Sequence, residues 1–305
     1  MPRRKLILLF LGCTVVVGGI ALLLTPNNEP RYNGRALSGW LDIYCSSGSG
    51  VHTAFEIDEA ADAVRHIGTN ALPWLLRWLP YEYPRRPSIM DVIIGKLPIS
   101  FQDSRLAMRL LTDQRARHSY MAQRGFELLG PKAKPVIPEL LRLTNDPKSP
   151  GAAAVALYVL SWMGKDGSDA LFDVLNNDGH PHRDAVVQIV GSSGIRLSHF
   201  VPVLARLVTD KDQDLATASA GALGRLALEP AVSVPALTNT LGSSNPALRE
   251  DSVQALGGFG AQASCAIPLL RQMLEDPDAT VREYVTNALQ RIAPDTVAGP
   301  APQAP

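Results

Sequence analysis

His180-Pro181-His182, flanked by Asp178 and Asp184, is the densest group of metal-ligand residue types in the chain. A bound metal needs three or four converging ligands on a rigid frame. Pro181 keeps its two neighbours off one helix face. Asp178 also falls in register with Asp146, Asp210 and Asp276, where an aspartate serves turns and helix N-caps. Loop chemistry is therefore expected here, and no metal. The chain has no glycine-rich phosphate loop, no paired-cysteine zinc spacing and no His-Glu-x-x-His helix. No catalytic residue and no cofactor are expected, and the chain reads as a non-enzyme.

Two other groups could bind rather than catalyse. Four residues before the recurrent loop position stand Arg77, Arg109, Arg142, Val174, Arg206, Asn239 and Gln272. Stacked in space, they would form a polar stripe that begins with three arginines. Guanidinium forks suit an acidic peptide or another anion in a concave groove. The plainer expectation is that Arg109, Arg142 and Arg206 pair with Asp113, Asp146 and Asp210, each pair contributing a few tenths of a kcal/mol. The second group is aromatic and runs from Pro73 to Pro87, with Trp74, Trp78, Tyr81, Tyr83, Arg85 and Arg86. Trp, Tyr and Arg dominate binding hot spots. The same rings could instead fill a gap in the core or lie near a bilayer interface.

The elements that position these residues follow from a six-residue phrase: small or apolar, apolar, any, any, apolar, Gly or Ala. Clear copies are AVRHIG (63–68), GFELLG (125–130), VLSWMG (159–164), ALGRLA (222–227), ALGGFG (255–260) and ALQRIA (288–293). Degraded copies, IIGKLP and IVGSSG, end at 98 and 194, so the steps are 30, 32, 34, 30, 33, 33 and 33. A fixed period in this range marks a solenoid, whose units bury their apolar faces only against neighbours. Each phrase closes one helix at a glycine stop in the left-handed region. A second apolar run follows, opened by Pro73, Pro138, Pro202, Pro235 or Pro268, where a missing N–H costs nothing. The unit is helix, tight turn, helix, acidic loop.

Two helices per unit with this period and small-residue phrase resemble the HEAT repeat, in the short Ala- and Gly-rich form also found in phycobilisome-lyase-like proteins. The resemblance covers about residues 51–293, while the Trp-Leu-Gly-Tyr and Thr-Pro-Leu-His patterns of TPR and ankyrin units are absent. It implies an all-α fold, an α-solenoid of seven to eight helical hairpins, and a protein or peptide partner. It also implies two alternatives: an enzyme of the phycobilin-lyase type, or a nucleic-acid binder like the HEAT-like DNA glycosylases, using the arginine row. Balanced charge, 29 basic against 29 acidic residues, argues against nucleic acid.

The first residues suggest a membrane anchor. A basic leader (1–5) precedes nineteen uncharged residues, Leu6 to Leu24, long enough to cross a bilayer as a helix. The span exceeds a signal-peptide core, and cations before it place the N-terminus in the cytoplasm and the repeats outside. The expectation is a single-pass inner-membrane signal anchor, with lipidation at Cys13 as the alternative. Residues 25–50 then form a linker in which Leu37–Tyr44 caps the first repeat through Leu37, Trp40, Leu41 and Tyr44. Its Tyr-x-Gly-x-x-Leu-x-x-Trp-Leu run (Tyr32 to Leu41) is similar to the preface of uncharacterised bacterial membrane-anchored HEAT proteins. Residues 294–305, rich in Pro and Ala, are expected to be a disordered tail.

Overall fold

The computed structural model describes residues 29–47, 50–81, 114–146, 149–192 and 198–294. The span 6–24, Cys13, Tyr83, Arg85, Arg86, Arg109, Asp113 and the tail after residue 294 lie outside these. The chain divides into two compact units, Met1–Trp74 and Leu75–Pro305.

In the first unit, Asn33 and Gly34 both take positive φ (46° and 77°). That is the two-residue turn whose twist suits a hairpin, and it pairs β1 (Arg31–Tyr32) with β2 (Arg35–Ala36) antiparallel. Helix α1 (Leu37–Cys45) follows at once. The Trp40 indole N–H donates to the Tyr32 carbonyl at 3.1 Å, and the Arg35 guanidinium lies 4.5 Å over the Trp40 ring. The Glu29 carboxylate accepts from the Ser38 N–H at 3.0 Å, satisfying one orphan donor of the first turn. Leu37, Trp40 and Leu41 are buried, but Tyr44 is only half-buried and Ile43 takes its place. Helix α2 (Ala54–Ile67) packs on α1 and starts with a reciprocal Thr53–Glu56 capping box. The Tyr32 and His66 rings meet at 4.4 Å. Each fixed residue of the Tyr-x-Gly-x-x-Leu-x-x-Trp-Leu run thus has a structural task.

Helix α3 (Leu72–Trp78) runs across the division. The second unit continues with α4 (Gln114–Leu129), α5 (Ile137–Thr144), α6 (Pro150–Leu160), α7 (Gly164–Asn176), α8 (Arg183–Ser192) and α9 (Val201–Leu207). It ends with α10 (Gln213–Leu226), α11 (Pro230–Asn239), α12 (Pro246–Phe259), α13 (Ile267–Gln272) and α14 (Ala279–Ile292). Even-numbered helices from α4 onward are first helices of a repeat; odd-numbered ones from α5 are second helices. The first helices α8, α10, α12 and α14 stack in order, each on the next. Leu140, Leu204, Leu237 and Leu270 recur at equivalent places on the second helices and are all buried. Each contributes about 1.5–3 kcal/mol of burial.

The phrase itself has a packing cause. Gly191, Gly224 and Gly257 face Ala222, Ala255 and Ala288 of the next first helix. A Cβ on Gly224 would stand 2.7 Å from the Ala255 Cα, and one on Gly257 would stand 3.2 Å from the Ala288 Cα. Small residues recur there because helix backbones touch.

The helix stops differ from expectation in detail. Gly68 and Gly260 take positive φ, but with ψ of −136° and −137°, outside the left-handed helical well and in a region reserved for glycine. Short 3-10 turns, Gly130–Val136 and Gly260–Ala266 among them, then lead into the second helices at Pro138 and Pro268. The repeat ending at Ala227 departs from this pattern. Ala227 and Glu229 adopt the left-handed conformation at φ 47° and 48°, α11 begins early at Pro230, and Pro235 falls inside it.

Candidate functional site

Among the described residues of the arginine row, Arg142 and Arg206 stand near carboxylates. Arg142 donates twice to Glu139, from Nε at 3.1 Å and from Nη2 at 2.6 Å, and this pairing lowers the Glu139 pKa. Arg206 approaches Asp178 of the preceding loop at 3.6 Å, while Asp210 receives Arg183 at 3.6 Å. Arg142 thus pairs most closely with Glu139, one turn back on its own helix, with Asp146 a weaker influence, and Arg206 faces Asp178. Arg77 is exposed. In the aromatic segment, Trp74, Trp78 and Tyr81 are each half-buried. The Trp78 ring stacks on His118 of α4 with centroids 5.1 Å apart and planes 12° from parallel.

His180 is buried, and its hydrogen bonds form a directed chain. The His182 N–H donates to His180 Nδ1 at 3.2 Å, so Nε2 carries the proton and faces Thr144 Oγ1 at 3.3 Å. Thr144 in turn donates to the Leu141 carbonyl at 2.8 Å. Burial, then His182, lowers the His180 pKa. Among the described residues no three His, Cys, Asp or Glu side chains converge as metal ligands.

Two buried arginines escaped the sequence reading. Arg249 of α12 forks onto Asp276 in the next loop, with Nε to Oδ2 at 2.9 Å and Nη2 to Oδ1 at 2.8 Å. Its Nη1 donates to the Ser243 carbonyl at 2.9 Å. Both side chains are about nine-tenths buried or more, at 10% and 6% exposed. Two repeats earlier Arg183 makes the corresponding reach, with Nη1 toward Asp210 and Nε donating to the Leu175 carbonyl at 3.1 Å. The loops themselves repeat the chemistry. Asp212, Asn245 and Asp278 each accept from the N–H two residues on, capping α10, α12 and α14.

The first helices carry an exposed row of their own. Gln188, Gly221, Gln254 and Asn287 occupy one equivalent row of the stack, and the three amide side chains are exposed. Between α12 and α14 this row deepens into a groove of about 380 Å³, lined by Gln254, Gly257, Tyr284, Asn287, Gln290 and Arg291. Arg225, equivalent to Arg291 two repeats earlier, is tied down: its Nε donates to the Gly191 carbonyl at 3.1 Å. It also stands near Asp251, whose pKa burial and Glu250 raise and Arg225 partly offsets. Counting back from the end of each phrase along the first helices, as along the second, exposes this row in the sequence.

Comparison with known proteins agrees with the repeat. Residues 234–301 match the family described as HEAT repeats. No curated protein matches the chain. Among solved structures, it is similar to the CpcE–CpcF complex of phycocyanin lyase from Nostoc (21% identity, half of this chain and 98% of that one, TM-score 0.43). A designed armadillo repeat protein is similar at 14% identity over 72% of this chain and 99% of its own, TM-score 0.42. Human deoxyhypusine hydroxylase follows at 19% identity over 84% and 96%, TM-score 0.35. The helical-repeat architecture stands on the stacked helices described above and on the match at 234–301.

Proposed function

We propose that this chain is a membrane-anchored HEAT-repeat scaffold that holds a protein partner on its stacked helices. The observation that carries the reading is registration. Repeats that stack through Gly–Ala contacts place equivalent exposed side chains in a continuous row, a surface suited to gripping an elongated partner. The uncharged stretch Leu6 to Leu24, with Arg3, Arg4 and Lys5 before it, supports an anchor whose N-terminus stays in the cytoplasm.

Photo-cross-linking in living cells tests the scaffold. A benzophenone side chain placed at Gln188 and, separately, at Gln254 should give an adduct of the same added mass from both sites. No adduct from any repeat, alongside turnover abolished by one point mutation, overturns the scaffold in favour of an enzyme. A cytoplasm-only reporter active when fused after Pro305 overturns the topology.

A further inference from the structure

We propose that the first-helix face from Gln188 to Arg291 docks an extended polypeptide segment whose acidic side chain is received by Arg291. The proposal rests on the scaffold reading and names the face and the chemistry of its partner.

Side-chain amides both donate and accept, as does each residue of an extended backbone whose own sheet partners are missing. Gln188, Gln254 and Asn287 present such groups on consecutive or alternate repeats, and Gln290 adds a fourth beside Asn287. Packed helices lie roughly 8–10 Å apart, and an extended chain advances about 3.3 Å per residue. One rung per repeat therefore meets about every third residue of the guest, a matched period rather than an isolated contact. Gly221 stands in the row itself and Gly258 is exposed beside it, so neither adds a side chain to the face.

Charge selects the guest. Arg291 is exposed and lies at the groove's edge, and no ion pair engages it among the described residues. Its counterpart Arg225 donates to the Gly191 carbonyl and stands near Asp251. Among the described residues the face thus offers the exposed Arg291 at one end, and at its middle sets Arg225 near Asp251 and Glu250. A carboxylate fits that arrangement. A nucleic-acid backbone does not, since Asp251, beside Gly221 in the row, and Glu250 next to it put negative charge along the path of a run of phosphates. Tyr284, half-buried in the floor, supplies an apolar ring for the residue next to the carboxylate.

The test uses the purified full chain and a phage-displayed random dodecapeptide library. Selected peptides should share an Asp or Glu at one position. They should bind the combined Gln254→Ala, Asn287→Ala, Arg291→Ala variant at least about tenfold more weakly, the loss expected when hot-spot contacts are truncated. The melting temperature should be unchanged, because all three side chains are exposed. Reversing the charges, with Arg291→Glu in the protein and Lys for the shared acid in the peptide, should restore binding. Peptides that bind the triple variant undiminished place the contact elsewhere and overturn the groove while leaving the scaffold standing. Failure to select any peptide, with cross-linked adducts still formed, overturns the extended-segment guest. Failure of both overturns the scaffold as well.

Discussion

Ala227 holds positive φ at the repeat position where Gly68, Gly130, Gly164 and Gly260 also do, but in the left-handed helical well. At φ 47° and ψ 42° its Cβ crowds the following carbonyl, a cost of roughly 1–2 kcal/mol. Ala227→Gly should therefore raise stability by up to about 1 kcal/mol, after the entropy of the freer unfolded chain is subtracted. Gly260→Ala should do the reverse by more than about 1 kcal/mol, because φ 55° with ψ −137° admits no side chain. Urea unfolding of the two variants checks both signs. Arg249 is the other residue on which stability should hang. Arg249→Ala leaves Asp276 buried and unpaired, which costs about 3–5 kcal/mol. The fork also holds the Asp276 carboxyl below its usual range. Its contribution is thus present above pH about 4 and lost as pH falls through the lowered pKa. An acid titration in which wild type and Arg249→Ala lose stability in parallel below pH 4 would deny the pair that role.

At the scale of elements, the alternation of helices was legible because a period near 33 residues leaves a copy of itself in every unit. Proline before the second helix and small residues closing the first are local signals with local causes. What periodicity could not show were contacts between units. The phrase leaves the position of Gly191, Gly224 and Gly257 open to any residue, whereas in the fold these are where helices touch. Gly224→Ala should accordingly cost about 1–3 kcal/mol through overpacking against Ala255. Gly242→Ala, with nothing within 4 Å of the added carbon, should cost far less. Equal effects from the two would remove close helix approach as the reason for the phrase. The arginine partners were missed for the same reason: a sequence frame within one helix cannot see that Asp276 belongs to Arg249, twenty-seven residues back. The hairpin before α1 was missed differently. Asn33-Gly34 is a strong turn signal, but strands of two residues are too short for alternation to reveal.

At the scale of the molecule, a repeat array is stabilised by interfaces between neighbours, so its weakest interface decides where it opens. In the unit from Leu75 onward, the loop between α7 and α8 is the place where pH acts. Burial, then His182, lowers the His180 pKa there, and protonation at Nδ1 would set two donors face to face with the His182 N–H. The charged groups around it offer little relief. His182 opposes a second positive charge, Arg183 and Arg206 are themselves cations, and Asp178 and Asp210 already receive those arginines. With the folded pKa below the ordinary 6.5, the unfolded loop binds the proton more readily. Stability is therefore intact above pH about 6.5 and falls as pH drops toward the lowered folded pKa. Hydrogen exchange at pH 5.5, corrected for intrinsic rate and compared with pH 7.5, should show faster opening centred on residues 141–144 and 177–190. The C-terminal pair α12 and α14 should keep its protection in that range, since Asp276 titrates only at lower pH. His180→Gln removes the titrating ring and should abolish the local acid response, whatever its cost at neutral pH. Opening that begins instead at α14, or that persists unchanged in His180→Gln, would show that the acid-sensitive interface lies elsewhere.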